Sequence, residues 1–317
     1  MKVVYVTGCL GFIGSYVTQA CLDQGWYVYG IDKCTYASNI SKLNEFLNNP
    51  KFKFEKQDIC DLDRLVDCDY FINTAAETHV DNSIRKSEDF VHSNINGVYN
   101  ILELLRTYQK EGYIVPTFIH FSTDEVYGDI VDGEHIETDV LKPSNPYSAT
   151  KAAADQLIIA WARTYKVPYV ILRPTNNYGI GQYVEKLIPK ACKFLTLNRK
   201  IPLHAEGKPV RNWLHAKDTA NAVLKIIEND AKNEIYNIAG GFEQSNIRTV
   251  EKILNNYFSK HIENPNDYIN FGLTRPGHDI RYALNDDKLK NLGWKPTAVF
   301  DEEIVSIVKY YKDNFIW

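Results

Sequence analysis

No Cys-x-x-Cys pair occurs in this chain, whose six cysteines, Cys9, Cys21, Cys34, Cys60, Cys68 and Cys192, lie scattered. That dispersal is the pattern of reduced thiols in cytosol and speaks against a disulfide framework. The eight histidines show no His-x-x-x-His spacing and neighbour no cysteine cluster, so no metal is expected. No apolar run approaches the ~20 residues that span a bilayer. A charged and apolar leader is missing as well, because the chain opens on Lys2-Val3-Val4-Tyr5-Val6, which reads as a first strand. The expectation is a soluble, unexported, cytoplasmic protein that meets no membrane. Nor is there a basic block: Lys and Arg number 36 against 40 Asp and Glu, a formal net charge of -4. The electrostatic footprint of a nucleic-acid binder is therefore absent, while a local cationic pocket for phosphate stays open.

Length and apolar content are what the chain has. At 317 residues, 44% hydrophobic and 13% aromatic, it can fill a sizeable core without staples. One large α/β domain or two unequal lobes is the prior. Short β-branched or aromatic runs at residues 3–7, 26–31, 52–55, 70–74, 117–122 and 169–172 alternate with helical patterns at 12–24, 87–109 and 147–165. That alternation predicts an α/β, Rossmann-type doubly wound parallel sheet. Beyond residue 174 the pattern loosens, with helices expected near 184–197 and 216–228 and a strand at 234–238. A first lobe over 1–174, its sheet completed by segments within 211–239, and a smaller, discontinuous lobe over 175–317 follow.

Three clusters carry chemistry. Thr7-Gly8-Cys9-Leu10-Gly11-Phe12-Ile13-Gly14 lies between the first strand and first helix, where glycines let backbone approach a pyrophosphate and free N–H groups face it. Asp32 ends the second strand about twenty residues on, the place of a carboxylate that accepts from both adenosine ribose hydroxyls. It favours NAD over NADP, a preference that Lys33 beside it tempers. Tyr147-Ser148-Ala149-Thr150-Lys151 puts a phenol and an ammonium on one helix face, the helix starting after Asn145-Pro146. The lysine is expected to lower the tyrosine pKa, as a base acting on a sugar hydroxyl requires. Ser122-Thr123-Asp124-Glu125 follows an apolar strand at the sheet edge where such folds build their sites. Simple hydride transfer needs no such pair of acids. His79 is read as a packing histidine.

Taken with Ala75-Ala76-Glu77-Thr78-His79-Val80-Asp81, Ser122 through Gly128, Asn176-Asn177-Tyr178-Gly179, Glu185-Lys186-Leu187-Ile188-Pro189 and Arg275-Pro276-Gly277-His278-Asp279 with Arg281-Tyr282, these motifs resemble extended short-chain dehydrogenases. The resemblance is closest to the nucleotide-diphosphate-glucose 4,6-dehydratases and covers essentially the whole chain. It implies an internal redox cycle on tightly bound NAD. Tyr147, assisted by Lys151 and Thr123, would deprotonate the glucose 4-hydroxyl. Glu125 would take the C5 proton, and a protonated Asp124 would donate to the departing C6 hydroxyl.

For the cofactor the resemblance implies Gly8, Gly11, Phe12, Ile13, Gly14, Asp32, Lys33, Thr35, Asp58, Ile59, Ala75, Ala76, Ser93 and Asn177, with Tyr147 and Lys151. For the nucleotide-sugar it implies Thr78, Thr123, Asn176, Glu185, Lys186, Arg211, Asn246, Arg275 and His278. Both arginines suit diphosphate oxygens. A homodimer built on the helix from Ser87 and the Tyr147 helix is implied too. Departures from the family pattern are Cys9 and Leu10, expected to point outward from the glycine turn, Asn212 in place of aspartate, Val184 in place of proline, and His204 in place of an aromatic. The base preference, dTDP or UDP, stays open, as does the deoxysugar, rhamnose or another, that the product would feed. A 4-epimerase or decarboxylase of the same superfamily, or a non-catalytic NAD-binding protein, is the alternative.

Overall fold

The computed structural model describes residues 1–273, 276–277 and 279–314, so Arg275 and His278 of the expected site lie outside the described residues. The chain begins β1 (Val3–Thr7), α1 (Phe12–Asp23), β2 (Tyr27–Asp32), α2 (Ile40–Leu47), β3 (Phe52–Lys56) and β4 (Tyr70–Asn73). Two short helices follow, α3 (Val80–Arg85) and α4 (Glu88–Phe90), then a π-helical stretch (Val91–Asn96) and α5 (Gly97–Lys110). Next come β5 (Thr117–Phe121), α6 (Pro146–Tyr165), β6 (Tyr169–Pro174), β7 (Asn176–Tyr178), α7 (Leu187–Thr196), β8 (Ile201–His204) and β9 (Val210–His215). The rest is α8 (Ala216–Glu228), β10 (Glu234–Ile238), β11 (Glu243–Ser245), α9 (Asn246–Phe258), β12 (Ile269–Leu273), α10 (Asp287–Lys290) and α11 (Phe300–Asp313).

Seven parallel strands form one sheet in the order β10-β6-β5-β4-β1-β2-β3. Strand order reverses between β1 and β4, and doubly wound sheets open a crevice at that switch point, beyond the carboxyl ends of the strands. Alternation along each strand sends neighbours to opposite faces. Val4, Val6 and Ile72 thus pack on one side with Val17 of α1 and Val223 of α8. Tyr5 and Phe71 face the other side, against Ile101 of α5 and Ile158 of α6. A separate core of Ile188, Val250, Ile253, Ile304 and Trp213 joins α7, α9, α11 and β9, and two small sheets, β11-β9-β7 and β12-β8, complete that side. No helix among the described residues is long and apolar enough to cross a membrane.

Three expectations need correction. Cys9 and Leu10 do not point outward: both are fully buried in the core beneath the glycine turn, where their bulk replaces solvent. The helix expected over 87–109 is interrupted by the π-helical stretch. Ser93 and Asn94, both buried, lie within it. The helix expected from 184 starts only at Leu187, after Lys186 as N-cap, which leaves Glu185 and Lys186 to face the crevice.

One buried ion pair ties α6 to the sheet. Arg173 of β6 reaches Asp155 through Nε and Nη2, both at 3.0 Å, with both residues sealed from solvent. Its Nη1 donates to Tyr127 at 2.7 Å, and Tyr127 donates to Asn237 at 2.8 Å. Removing one member of such a pair strands the other charge, at about 3–5 kcal/mol. Arg173→Ala is therefore expected to lower the unfolding free energy by about that amount in urea titration.

Candidate active site

The crevice begins at the glycine turn. Gly8 has φ +67°, and a Cβ there would sit 2.7 Å from the backbone nitrogen of Ala75. At Gly14 a Cβ would meet the Gly8 carbonyl oxygen at 2.0 Å. Only glycine permits this closeness of β1, α1 and the strand after the switch point. α1 has Gly11 as N-cap and no side-chain cap, so its first-turn N–H groups are aimed into the crevice where a phosphate would lie.

Two compartments flank the turn. In the outer one stand Asp32, Lys33, Thr35, Asp58, Ile59, Ala75, Ala76 and Ser93, with Gly8 and Gly11 on its inner wall. The Asp32 carboxylate accepts from the backbone of Leu10 at 3.0 Å and Cys34 at 2.7 Å and from Ser38 Oγ at 2.9 Å. Those bonds hold it at the crevice rim. Lys33 donates to Ser93 at 2.9 Å and lies 3.5 Å from Asp58, so the charges beside Asp32 are mutually engaged. Asp58, Cys60 and His92 bring three potential metal donors within 4.8 Å of one another, with Asp58 already shared between Lys33 and His92. The inner compartment is lined by Gly11, Phe12, Ile13, Gly14, Thr123, Asp124, Glu125, Tyr147 and Asn177.

The acids stand at the carboxyl end of β5 on a single 3₁₀ turn (Asp124–Tyr127), whose N-cap is Thr123. Thr123 Oγ1 donates to Asp124 Oδ1 at 3.1 Å, while Oδ2 is buried without a hydrogen-bond partner among the described residues. Burial first, then the adjacent Glu125 carboxylate, push the Asp124 carboxyl from 3.8 up to about 8. It is a protonated acid at neutral pH. Glu125 is also raised by burial, but Arg211 and a hydrogen bond from Asn145 Nδ2 at 3.3 Å draw it back toward the charged form. Two neighbouring carboxyls in different surroundings can so divide acid and base roles.

Tyr147 and Lys151 lie one turn apart in α6, as expected. Their electrostatic relation differs from the expectation. Burial, followed by the Glu125 carboxylate, raises the Tyr147 phenol above its ordinary value, and a hydrogen bond with Thr123 only partly opposes that. Lys151 lines neither compartment. It is 2% exposed beneath the tyrosine, and its Nζ points to Nε2 of His120 at 3.3 Å. Burial lowers the lysine to about 8, with Asp155 acting to keep its charge.

A third cavity continues from the acids toward α7, β8 and β9. Thr78, Asn176, Glu185, Lys186, Arg211 and Asn246 all line it, so six of the expected nucleotide-sugar residues converge from five separate segments. Asn176 Oδ1 is buried and unpartnered among the described residues. Arg211 is 8% exposed; its guanidinium stacks over Tyr282 at 4.5 Å and donates to the Asp279 carbonyl at 3.1 Å. Sequence reasoning passed over several residues here. Tyr282, whose hydroxyl bonds Asp279, faces Glu125 at 3.5 Å, while His79, read as a packing histidine, lines the cavity together with His204. Asn94 clamps the backbone of Glu77 on both its N–H and C=O and bonds Thr150 at 2.9 Å. Tyr282 and Asp279 sat inside motifs already singled out; Asn94 carried no local signal, since its partners Glu77 and Thr150 are 17 and 56 positions away.

A family model described as GDP-mannose 4,6 dehydratase matches residues 5–307. The chain belongs to this family. Among its relatives is a dTDP-glucose 4,6-dehydratase of Haemophilus influenzae, 38% identical over 99% of both chains. The dTDP-glucose 4,6-dehydratase DesIV of Streptomyces venezuelae, solved with NAD and dTDP, is 32% identical with a TM-score of 0.91, over 99% of this chain and 98% of that one. A UDP-glucuronic acid 4-epimerase of Bacillus cereus superposes at a TM-score of 0.88 with 25% identity, over 99% of each chain. The dehydratase family thus shares its frame with this epimerase.

The raised acid has a stability consequence. Between the ordinary 3.8 and about 8, the unfolded chain loses the Asp124 proton that the folded chain keeps. Stability therefore falls as pH rises through that window. Asp124→Asn is expected to gain in melting temperature relative to the parent on going from pH 4 to pH 8, measured by calorimetry at both.

Proposed function

We propose that this chain is an NAD-dependent hydro-lyase, a dTDP-glucose 4,6-dehydratase, which converts dTDP-glucose to the 4-keto-6-deoxyglucose nucleotide and water. The observation that carries the reading is the buried Asp124-Glu125 pair beside Tyr147, with one carboxyl held protonated. Epimerisation at C4 expels no hydroxyl and so has no need of a neutral acid at C6. NAD, when bound, supplies the acceptor and donor of hydride. Gly8, Gly11, Phe12, Ile13 and Gly14 would hold its pyrophosphate against the α1 terminus, with Asp32, Thr35, Asp58, Ile59 and Ser93 around its adenosine and Asn177 near its other end. The close-packed glycines and the uncapped helix fit that group.

Each protein group then has one task. Tyr147 takes the proton of the sugar 4-hydroxyl, Thr123 orients that oxygen, and Lys151 supplies positive charge below the phenol. Burial first, and then the carboxyls, raise the free tyrosine, so part of the barrier to its deprotonation depends on how much negative charge they carry; a neutral Asp124 lessens the opposition. Glu125 removes the C5 proton made acidic by the 4-ketone. Asp124 gives its proton to the C6 hydroxyl, which leaves as water. Arg211 and Lys186 contribute the cationic wall for the diphosphate, with Thr78, Asn176, Glu185 and Asn246 around the rest of the nucleotide-sugar.

The proposal extends to assembly and place. A homodimer would pair α5 and α6 with their copies in a four-helix bundle. Tyr99 on α5 is 49% exposed, edge-on to Trp161 of α6 at 5.9 Å, and Val91, at the start of the π-helical stretch before α5, is exposed too. A lobe over residues 1–174 for the cofactor, one over 175–317 for the nucleotide-sugar, and a cytoplasmic setting are part of the same reading; the six free cysteines support the last.

Incubation with dTDP-glucose and, separately, UDP-glucose without added reductant is expected to give a product 18 mass units lighter, faster from dTDP-glucose; no mass loss from either would overturn the dehydratase reading. Asp124→Asn is expected to spare 4-keto formation and slow water loss by roughly 10²–10⁴-fold, with Tyr147→Phe blocking the first oxidation instead. In the parent enzyme, water loss should decline as pH rises through about 8, as Asp124 gives up its proton. Tyr99→Glu is expected to shift the dimer to monomer in sedimentation equilibrium.

A further inference from the structure

Beneath the active site a row of buried polar groups crosses three strands without reaching water. Thr7 of β1 is 0% exposed, Asn73 of β4 1%, His120 of β5 0% and Lys151 of α6 2%. Thr7 Oγ1 lies 2.6 Å from Asn73 Oδ1, Asn73 Nδ2 lies 3.1 Å from His120 Nδ1, and His120 Nε2 lies 3.3 Å from Lys151 Nζ. Every polar atom in such a place must find its partner within the row.

A neutral imidazole has one N–H and one acceptor nitrogen. Burial, with the Lys151 charge adding to it, holds His120 well below its ordinary 6.5, so the ring is neutral. Two proton arrangements are then self-consistent. When Lys151 is an ammonium it donates to Nε2, the ring proton sits on Nδ1, and Asn73 must turn its amide oxygen toward the ring. When Asn73 instead donates to Nδ1, the ring proton sits on Nε2 and faces Lys151, which accepts only as a neutral amine. The side chains occupy the same positions in both; what changes is the ring tautomer and the Asn73 amide.

We infer that His120 is a positioning residue for Lys151, whose Nε2 holds the lysine under Tyr147 and, through a tautomer set by Asn73 and Thr7, governs whether the lysine carries its proton. Other groups face Lys151 as well. Asp155 lies one turn on in α6 and is itself neutralised by Arg173 of β6; Tyr147 lies one turn back, with Asp124 and Glu125 beyond it on the turn after β5. Asp155 favours the charge but is already matched by an arginine, so among the described residues the histidine is the neutral acceptor at the ammonium itself.

The inference rests on the dehydratase reading only for its kinetic consequence. The primary test is the titration of Lys151 in the full chain, followed by NMR of ¹³C-labelled lysine with Lys151→Met for assignment. A midpoint near pH 8 is expected in the parent, a midpoint lower by one pH unit or more in His120→Phe, and one within about 0.3 units of the parent in His120→Gln, whose amide oxygen can still accept. An unshifted His120→Phe, or a His120→Gln shifted as far as His120→Phe, would overturn it, the second because packing and not the acceptor would then be responsible. Should His120→Phe fail to fold, Asn73→Leu removes the partner that stabilises the Nδ1–H tautomer, and an unshifted midpoint there overturns the inference equally. In turnover, the alkaline limb of 4-keto formation should move to lower pH in His120→Phe with KM for dTDP-glucose unchanged. Failure of the parent to act on dTDP-glucose would count against the proposed function alone, since the NMR titration stands without it.

Discussion

Exclusion of water at the carboxyl edge of the parallel sheet is the constraint on which the rest depends. The same desolvation holds Asp124 protonated, keeps His120 neutral, lowers Lys151 and raises Tyr147. None of these four states arises from a single partner. Each follows from removing the group from water and then offering it a limited set of charges and hydrogen bonds, so the chemistry of the crevice is a property of how tightly β1, β4, β5 and α6 close around it.

That closure is secured from below and above. From below, the Arg173–Asp155 pair fastens α6 to β6 and extends through Tyr127 to Asn237 of the edge strand β10. From above, Asn94 ties the strand-4 loop to Thr150, the residue before Lys151. The helix that carries the phenol and the ammonium is thus fixed at successive turns. Asn145 adds a capping box at its start, and the same side chain reaches Glu125, so the helix N-terminus and the acid turn share a residue.

Much of this was legible in the chain because it is local. Glycines 8, 11 and 14, the strand-end Asp32 and the four-residue spacing of Tyr147 and Lys151 each announce a backbone geometry or a helix face, and the sheet brought the glycines, Asp32 and Tyr147 to one crevice with Lys151 buried outside its lining. The acid pair was legible for the same reason, as it directly follows an apolar strand. What escaped were residues whose neighbours are distant in sequence: His120, an isolated polar residue in an apolar strand; Asn94, whose partners Glu77 and Thr150 are 17 and 56 positions away; and Tyr282, which faces Glu125 from 157 positions away. The inward turn of Cys9 and Leu10 escaped too, since a glycine motif shows where the backbone approaches and not which way the intervening side chains fall.

By itself the sequence determined the fold class and the order of the main elements, because periodicity and short spacings translate directly into faces and turns. Only the tertiary structure decided the ionisation of the site residues. Whether Lys151 speaks to Tyr147 or to His120, and whether Asp124 holds its proton, depends on burial and on charges contributed by segments far apart along the chain, and the strength of both is set by distance and dielectric in three dimensions.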